Sequence, residues 1–586
     1  MAFEQAKWLR LATGALLTLA CGTPEVVRFP EGRPVMWRDD DTRPFHTRCT
    51  PDPEEPGHQL CVPEAYVSPF AWDAIDNSVF LPVSRALAVR PSHEAFNVNS
   101  LDEVPDSSWF QNRIGRFGMT PEELVRGPCE GGPTLDPTDD AGSWLIDQGK
   151  PNGANPGFRI RSVKSGKFML KADIGGEPER ATAAAAIAAR LYHAAGYYTP
   201  CDSVLYLHPS LLELKPGLRF ADNSGLERLF DQAALQKVLD NAARRGDRVR
   251  MSASRWLPGR AIGPFTYSGV REDDPNDVIP HEHRRELRGA RLFAAWLNHF
   301  DAREQNSMNT WMAEDQSDPD STPGHIRHWY LDFGDCFGSQ WDWDAISRRL
   351  GHAHYLDFGY LASDFLTLGM IERPWDRSRL DDRARIFGYF SARDFEPEAW
   401  RGGYPNPAFA EMTERDGAWA ARLIARFTAR HLQAAVAAGD LTNPTHSRVL
   451  VDALLSRRKA ILRRYLTRLS PLADVSVEGR TLCARDVARA SGAFEPTAFR
   501  YGARLYAGER LSPLGTAGVR READRLCVEL PRAPSGERTS AQRYLIVDLS
   551  NGLSPGPLRA HLYDRGALGY ELAGLERPET AEAPEL

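Results

Sequence analysis

The order in which strand-like and helix-like segments follow one another is the strongest constraint on the fold of this chain. Residues 136–210 hold short strand-like segments, such as FRIRSV, in which apolar and polar side chains alternate, and KFMLKAD, and turns rich in glycine and asparagine separate them. Such alternation is typical of strands. Residues 211–475 show mainly helical spacing, and short strand-like segments return in 476–586. This order predicts an α+β fold with a small β-rich C-terminal domain.

The length of 586 residues is too great for a single hydrophobic core, so the chain is expected to form several domains. Residues 22–135 are rich in proline and turn-forming residues, and they are predicted to form a loop-rich N-terminal extension. The net charge of −7 lacks the basic excess of a phosphate-binding surface. This balance argues against nucleic acid as a partner.

Residues 1–21 have the features of an export signal. Lys7 and Arg10 precede a short apolar run, LATGALLTLA, which is followed by Cys21. The run is too short to cross a bilayer as a mature helix, and a signal peptide has this arrangement. The position of Cys21 resembles the bacterial lipoprotein box, which predicts an exported cell-envelope protein held at the membrane by a lipid on Cys21. A plain secretory signal and a buried N-terminal helix are the alternatives.

The eight cysteines lack the paired C-x-x-C spacing of a zinc site. Export would permit disulfides, and Cys49 and Cys61 flank a proline-rich polar loop that a disulfide would stabilise. Unpaired buried thiols are the alternative interpretation of these two residues. If Cys21 carries lipid, seven cysteines remain, so at least one thiol stays free.

A glycine-rich hairpin followed by a lysine-bearing strand is the first part of a candidate site. Gly149, Gly153 and Gly157 lie in and around the turn KPNGANPG. Lys171 lies in the next strand-like segment, KFMLKAD, five residues after Gly166. An alanine-rich helical segment follows this strand, and a further strand-like segment, CDSVLYLHP, comes after the helix.

Two short acidic motifs form the second part of the candidate site. Asp301 and Asn306 are five residues apart in HFDAREQN, and Asp332 lies in YLDFGDCFG. Each motif alone arises by chance in long chains, but their order after the glycine hairpin and the lysine is more specific. The 25 residues between Asn306 and Asp332 include the polar insert AEDQSDPDSTPGH, which is predicted to be the loop of a hairpin.

Over residues 140–475 this combination resembles the protein-kinase-like superfamily. It is most similar to atypical bacterial members related to HipA-type and secretory-pathway kinases, because the usual Ala-Pro-Glu segment is not evident after Asp-Phe-Gly. The resemblance implies a two-lobed core, with a β-rich N-lobe at 136–210 and a helical C-lobe at 211–475.

The resemblance also implies ATP and Mg²⁺ as cofactors and a role for each site residue. The three glycines of the hairpin would let backbone N–H groups approach the phosphates, and Lys171 would hold those phosphates. Asp301 would position or deprotonate the acceptor hydroxyl. Asn306 and Asp332 would hold Mg²⁺, a cation that prefers oxygen ligands.

A kinase-like lysine is further expected to pair with a carboxylate on the following helix. No acidic residue lies between Ala181 and Arg190, and only Glu177 and Glu179 are available at the start of this helix. Glu179 is therefore the candidate partner of Lys171. The alternative is that both acids stabilise the first turn of the helix, where the helix dipole favours negative charge.

The sequence predicts an ATP-dependent phosphotransferase acting on an unknown hydroxyl of a protein, sugar or small molecule. A catalytically inactive, pseudokinase-type binding or scaffold lipoprotein is one alternative. It is favoured by the position of Glu179 and by the scarcity of free ATP outside the bacterial cytoplasm. A nucleotidyl transferase on the same fold is the other alternative.

Overall fold

The structure is a computed structural model that describes a mixed α/β protein with several separate sheets. Among the described residues, no helix combines the length and apolarity that crossing a bilayer requires. The signal segment 1–21, with its lipidation candidate Cys21, and Gly153 of the hairpin lie outside the described residues. The described ranges are 28–52, 59–87, 93–138, 142–150, 155–173, 176–221, 226–339, 344–532 and 538–584.

A seven-stranded sheet, here called the lysine sheet, carries Lys171 on one of its inner strands. Its pairings are antiparallel except for the parallel pair Trp144–Lys150 and Leu212–Leu214. Apolar side chains such as Phe158 and Leu170 are buried beneath it. Its strands are Arg244–Arg245, Arg248–Arg255, Gly166–Lys171, Gly157–Ser162, Trp144–Lys150 and Leu212–Leu214 in spatial order, with Asp202–Leu207 also paired to Arg248–Arg255.

The lysine sheet includes a strand that lies within residues 211–475, a region for which the sequence predicts mainly helical structure. Strand Arg248–Arg255 pairs with Gly166–Lys171 and with Asp202–Leu207, so the lysine sheet continues well beyond 210. The apolar residues Val249, Met251 and Ala253 alternate along this strand with Arg250 and Ser252, and all five are buried. Between residues 211 and 284, Gln232–Asn241 is the one α-helix within the described residues.

The alanine-rich helix Arg180–Ala195 joins the lysine sheet to the helical part of the protein. All of its residues are buried except His193, and the small alanine side chains let neighbouring elements approach closely. Gly196 ends it with φ +133°, and a side chain there would collide with Phe110. The helix thereby fixes the distance between the lysine sheet, which carries Lys171, and the helical part of the protein.

Helix Arg285–Leu297 is buried along nearly its whole length, and helices Pro407–Ala410, Glu414–Ile424 and Pro444–Tyr465 pack against it. Trp296 and Trp419 lie in the same core as the alanine-rich helix. The other α-helices are Phe70–Ile75, Leu81–Leu87, Pro121–Arg126, Gln232–Asn241, Asp344–Arg349, Phe358–Thr367, Pro407–Ala410, Glu414–Ile424, Ala429–Ala437, Pro444–Tyr465 and Val487–Ala490.

A small sheet, here called the insert hairpin, lies between the two acidic motifs. Strands Ser307–Ala313 and Gly324–Tyr330 pair in antiparallel register, and Arg260–Ala261 adds a short third strand. The polar insert connects the first two strands, so the predicted hairpin loop is confirmed. The hairpin returns the chain to its starting point and thus brings Asp332 beside Asn306.

Nine strands in the described part of the C-terminal region form two antiparallel sheets. Their inner faces share a core that includes Leu482, Leu505 and Val547. The four-stranded sheet contains Leu472–Glu478, Thr481–Asp486, Arg525–Glu529 and Val519–Glu522, and the five-stranded sheet contains Ser512–Ala517, Gly502–Ala507, Tyr544–Ser550, Leu558–Asp564 and Tyr570–Glu576. Shorter strands elsewhere are Thr50–Pro51, Gln59–Leu60, Arg219–Ala221 and Glu227–Leu229.

The N-terminal extension binds the helical and C-terminal regions together through the buried carboxylate of Asp102. This carboxylate contacts Arg285 at 2.6 Å, Arg577 at 2.8 Å and Arg422 at 3.3 Å. Burial raises the pKa of Asp102, but the three guanidinium groups lower it by more, so the carboxylate stays ionised. Asp102 has φ +59°, a left-handed conformation that Asp tolerates better than most residues.

Three disulfides link Cys49 to Cys61, Cys129 to Cys201 and Cys483 to Cys527. The first is the disulfide considered from the sequence. Among the described cysteines only Cys336 is free, and it is buried. Such a set of disulfides fits an oxidising, extracellular compartment.

The Cys129–Cys201 disulfide is expected to contribute strongly to stability because it closes a long loop. Its cysteines are 72 residues apart, whereas those of Cys49–Cys61 are only 12 apart. Replacing both Cys129 and Cys201 with Ser is expected to lower the free energy of unfolding by about 4 kcal/mol, against about 3 kcal/mol for the shorter loop. Guanidinium unfolding of both double variants tests this order, and a larger loss from the shorter loop would contradict it.

Candidate active site

A cavity of about 260 Å³ lies between the lysine sheet and the insert hairpin. Its lining combines apolar and ionisable side chains. The ionisable ones include Asp202 and a group of three, Lys150, Lys171 and Asp332, whose position is here called the ionised end. The apolar lining includes Met169, Ala172, Ala185, Pro200, Trp256, Leu257 and Met308. The cavity therefore suits a ligand with an apolar part and an anionic part.

Two lysines converge on one carboxylate at the ionised end. Lys171 Nζ lies 2.8 Å from Asp332 Oδ1, and Lys150 Nζ lies 3.7 Å from Asp332 Oδ2. Burial raises the pKa of Asp332, but Lys171 and Lys150 lower it by more, so the carboxylate is ionised. Burial likewise lowers the pKa of Lys171, but Asp332 outweighs this and raises it. The sequence thus placed Lys171 and Asp332 in a shared cavity, but it missed Lys150.

The backbone around Asp332 explains how its side chain reaches the lysines. Asp332 follows strand Gly324–Tyr330 and has φ +56°, a left-handed conformation that turns the chain sharply. Leu331 N donates to Asn306 O at 2.9 Å, which ties this turn to the other acidic motif. Arg180 Nη1 donates to Gly334 O at 2.7 Å and holds the turn from the opposite side.

Asp301 lies in the loop that follows helix Arg285–Leu297. Its carboxylate contacts Arg303 Nη1 at 2.6 Å and accepts a hydrogen bond from Asn306 Nδ2 at 2.8 Å. Burial raises the pKa of Asp301 to about 7, against the opposing charge of Arg303. His299 is buried beside this loop, where its ring contacts the Tyr192 hydroxyl at 3.2 Å. Asp301 and Asn306 therefore belong to one hydrogen-bonded loop beside the cavity.

The N-terminal extension covers the outer side of this loop, which the sequence did not reveal. Ser68 Oγ donates to Glu304 at 2.7 Å, and Gln305 Nε2 donates to Asp73 at 3.0 Å. The Arg303 guanidinium lies 4.5 Å from the centre of the Phe70 ring. The sequence predicts a loop-rich extension for residues 22–135 because the side chains that make these contacts are isolated and show no helical or strand periodicity.

Glu179, the candidate helix acid, does not lie beside Lys171. Its carboxylate accepts hydrogen bonds from Thr442 N at 3.0 Å and from Thr442 Oγ1 at 2.8 Å. Glu177 instead pairs with Arg180 at 2.6 Å. Because Glu179 stands at the N-cap with φ +72°, its side chain leaves the helix in a direction that the helical pattern does not predict. Asp332 takes the place of the expected helix acid as the partner of Lys171.

The described glycines of the hairpin serve close packing within the lysine sheet. Added side-chain atoms at Gly149 would collide with the Phe230 ring, and at Gly157 with the Leu170 carbonyl oxygen. Gly153, the third glycine, lies in the turn outside the described residues. No described contact therefore assigns Gly149 or Gly157 to a ligand.

The residues expected to hold Mg²⁺ have suitable chemistry. Asp332 supplies a carboxylate, and Asn306 supplies an amide oxygen because its Nδ2 is engaged with Asp301. Asp335 adds a carboxylate oxygen that is buried and lacks a hydrogen-bond partner within the described part of the chain. That part holds no cluster of three or more His, Cys, Asp or Glu side chains arranged for a metal. Mg²⁺ usually takes one or two carboxylates and completes its shell with water and phosphate oxygens, which this set allows.

No protein-family profile, no curated protein and no solved structure matches this chain. The functional proposal therefore rests on the geometry of the site.

Proposed function

We propose that this protein is an ATP-dependent phosphotransferase of atypical kinase type that acts on a hydroxyl acceptor. The observation that carries the proposal is the convergence of Lys171 and Asp332 in one cavity, beside the loop of Asp301 and Asn306. These residues come from three separate segments of the chain. Their order and spacing are those from which the kinase-like resemblance was inferred.

In this proposal the core has two lobes with the cavity at their junction. The lysine sheet and the alanine-rich helix form the first lobe, and the helices from Arg285 onward form the second. The apolar part of the cavity lining, with Trp256 and Met308, would receive the adenine base. The ionised end would receive the phosphates, where Lys171 supplies a fixed cation.

Each polar residue has one task in the proposed reaction. Lys171 exchanges its contact with Asp332 for a phosphate oxygen and so orients the transferred group. Asp332 and Asn306 would hold Mg²⁺, which neutralises charge on the phosphates when it is bound. Asp301 accepts a hydrogen bond from the acceptor hydroxyl and takes its proton as the new O–P bond forms and the bond between the γ-phosphorus and the bridging oxygen of ADP breaks. A pKa near 7 suits Asp301 to this exchange at neutral pH.

A catalytically inactive binding protein is the second candidate, and the position of Arg303 favours it. Arg303 occupies one oxygen of Asp301, and Asn306 occupies the other. No described carboxylate on the alanine-rich helix or its first turn pairs with Lys171, since Glu177 and Glu179 have other partners. An acceptor would therefore have to displace Arg303 before it could reach the base.

The cellular setting of the proposal is the cell envelope. The disulfides support an oxidising compartment, and the predicted signal at residues 1–21 supports export with a lipid anchor on Cys21. The partners in this proposal are a nucleotide, the membrane through that anchor, and a protein or small-molecule acceptor.

Calorimetric titration of the purified chain with ATP, with and without Mg²⁺, tests the proposal. Wild type is expected to bind ATP in a Mg²⁺-dependent manner, and Asp332→Asn is expected to lose that dependence. Label is then expected to leave the γ-phosphate of ATP for water or an acceptor, and Asp301→Asn is expected to abolish this transfer.

Each other outcome of this experiment selects a different function. Binding without transfer would favour the inactive binding protein. Transfer of label from the α-phosphate would indicate a nucleotidyl transferase. Absence of ATP binding by the folded wild type would overturn the proposal altogether.

A further inference from the structure

The second lysine of the cavity, Lys150, has a position that the proposed reaction does not yet explain. It lies at the end of strand Trp144–Lys150, directly before the turn of the glycine hairpin. Its side chain is 41% exposed, whereas that of Lys171 is 20% exposed. Lys150 therefore stands nearer to the open end of the cavity than Lys171 does.

The register of the lysine sheet brings the two ammonium groups together. Gly157 is paired with Lys150 on one side and with Lys171 on the other. Residues paired across neighbouring strands point to the same face of a sheet. Since Gly157 has no side chain, nothing on the middle strand separates the two lysines. A larger residue would also collide with the Leu170 carbonyl oxygen, which restricts this position to glycine.

Two ammonium groups contact the carboxylate of Asp332 at this end of the cavity, and the contact of Lys150 with it is the longer of the two. The carboxyl groups of Asp202 and Asp335 also attract Lys171, and burial raises the pKa of both. The charge of Lys171 lowers the pKa of Lys150, as expected for two cations held close together. Bringing a further negative group to this point would relieve that repulsion.

We propose that Lys150 is a second phosphate-binding cation, which holds the terminal phosphate of the nucleotide while Lys171 holds the inner phosphates. This inference rests on the proposed function. Because an acceptor must reach the transferred phosphate, that phosphate has to lie at the exposed end, where Lys150 stands. The pair of lysines would thereby distinguish a triphosphate from a diphosphate.

The test compares the affinities of wild type, Lys150→Gln, Lys150→Arg and Lys171→Met for ATP, ADP and inorganic tripolyphosphate. Lys150→Gln is expected to weaken ATP and tripolyphosphate binding about tenfold or more, because a charge-assisted hydrogen bond is lost. ADP binding is expected to change less, and Lys150→Arg is expected to retain most of the ATP affinity. Lys171→Met is expected to weaken all three ligands.

Lys167→Met is the matched control, because Lys167 lies on the same strand as Lys171 and does not line the cavity. Circular dichroism establishes that each variant is folded, and the half-exposed Lys150 side chain makes its replacement mild.

Unchanged ATP and tripolyphosphate affinity in Lys150→Gln would overturn the inference while leaving the proposed function intact. An equal loss for ATP and ADP would overturn the assignment to the terminal phosphate. Lys150-dependent binding of tripolyphosphate without ATP binding would support the cation site and overturn the nucleotide proposal. If wild type bound none of the three ligands, both proposals would be overturned.

Discussion

Lys171→Met is expected to lower kcat/KM for release or transfer of the γ-phosphate by roughly 10²–10³-fold, the usual cost of removing one preorganised group that stabilises transition-state charge. Met keeps the length and apolar stem of the lysine, so the wall of the cavity is preserved. Asp332 would retain Lys150 as a neighbour, at 3.7 Å in the native structure. The loss is therefore expected in catalysis and nucleotide affinity, with little change in the free energy of unfolding.

Steady-state kinetics compares Lys171→Met with Lys167→Met. This comparison separates the loss of catalysis at Lys171 from the effect of removing any one positive charge. Lys167 lies four residues earlier on the same strand, so both variants remove one positive charge from the lysine sheet. Activity close to wild type in Lys171→Met, or an equal loss in Lys167→Met, would contradict the role assigned to Lys171.

Asp102→Asn is expected to lower the free energy of unfolding by about 3–5 kcal/mol, because removing one partner of a buried ion pair leaves uncompensated charge in the interior. Three buried guanidinium groups, those of Arg285, Arg422 and Arg577, share the carboxylate of Asp102. Arg285 retains Asp416, but Arg577 loses the only carboxylate that it contacts within the described residues. Asn tolerates the left-handed backbone of this position, so the substitution isolates the effect of charge.

Guanidinium unfolding at pH 7 measures this loss, with Asp40→Asn as the matched control. Asp40 is an exposed acid of the same N-terminal extension, and its replacement is expected to change stability by less than about 0.5 kcal/mol. Equal stability of Asp102→Asn and wild type would show that the three arginines find other partners.

Those parts of the site that depend on short motifs were predictable from the sequence. Asp301 and Asn306 share one loop, and the polar insert forms a hairpin that returns the chain to Asp332. These contacts are local or depend on a single antiparallel strand pair. The spacing of residues along the chain is therefore enough to predict them. Lys171 was predictable as a strand residue because its short apolar segment follows directly on a glycine-containing turn.

Relations between distant segments were not predictable in the same way. Lys150 lies in the site because Gly157 is paired with it across the sheet. The spacing of residues along the chain does not determine that strand register. Glu179 was assigned to Lys171 by analogy, whereas its own left-handed backbone directs it to Thr442. The strand Arg248–Arg255 was hidden because it joins the sheet after an intervening helix, Gln232–Asn241.

The N-terminal extension has a consequence for the order in which this protein folds. Phe29 N donates to the Tyr544 hydroxyl, and Phe29 O accepts from the Tyr563 hydroxyl, across 515 and 534 residues of chain. The first described residues therefore acquire their native partners only after almost the whole chain has been synthesised. Contacts of such separation slow folding and leave early segments unpaired for longer. A chain closed in this way is kept from completing its fold during synthesis, which is the state that passage through a membrane as an unfolded polypeptide requires.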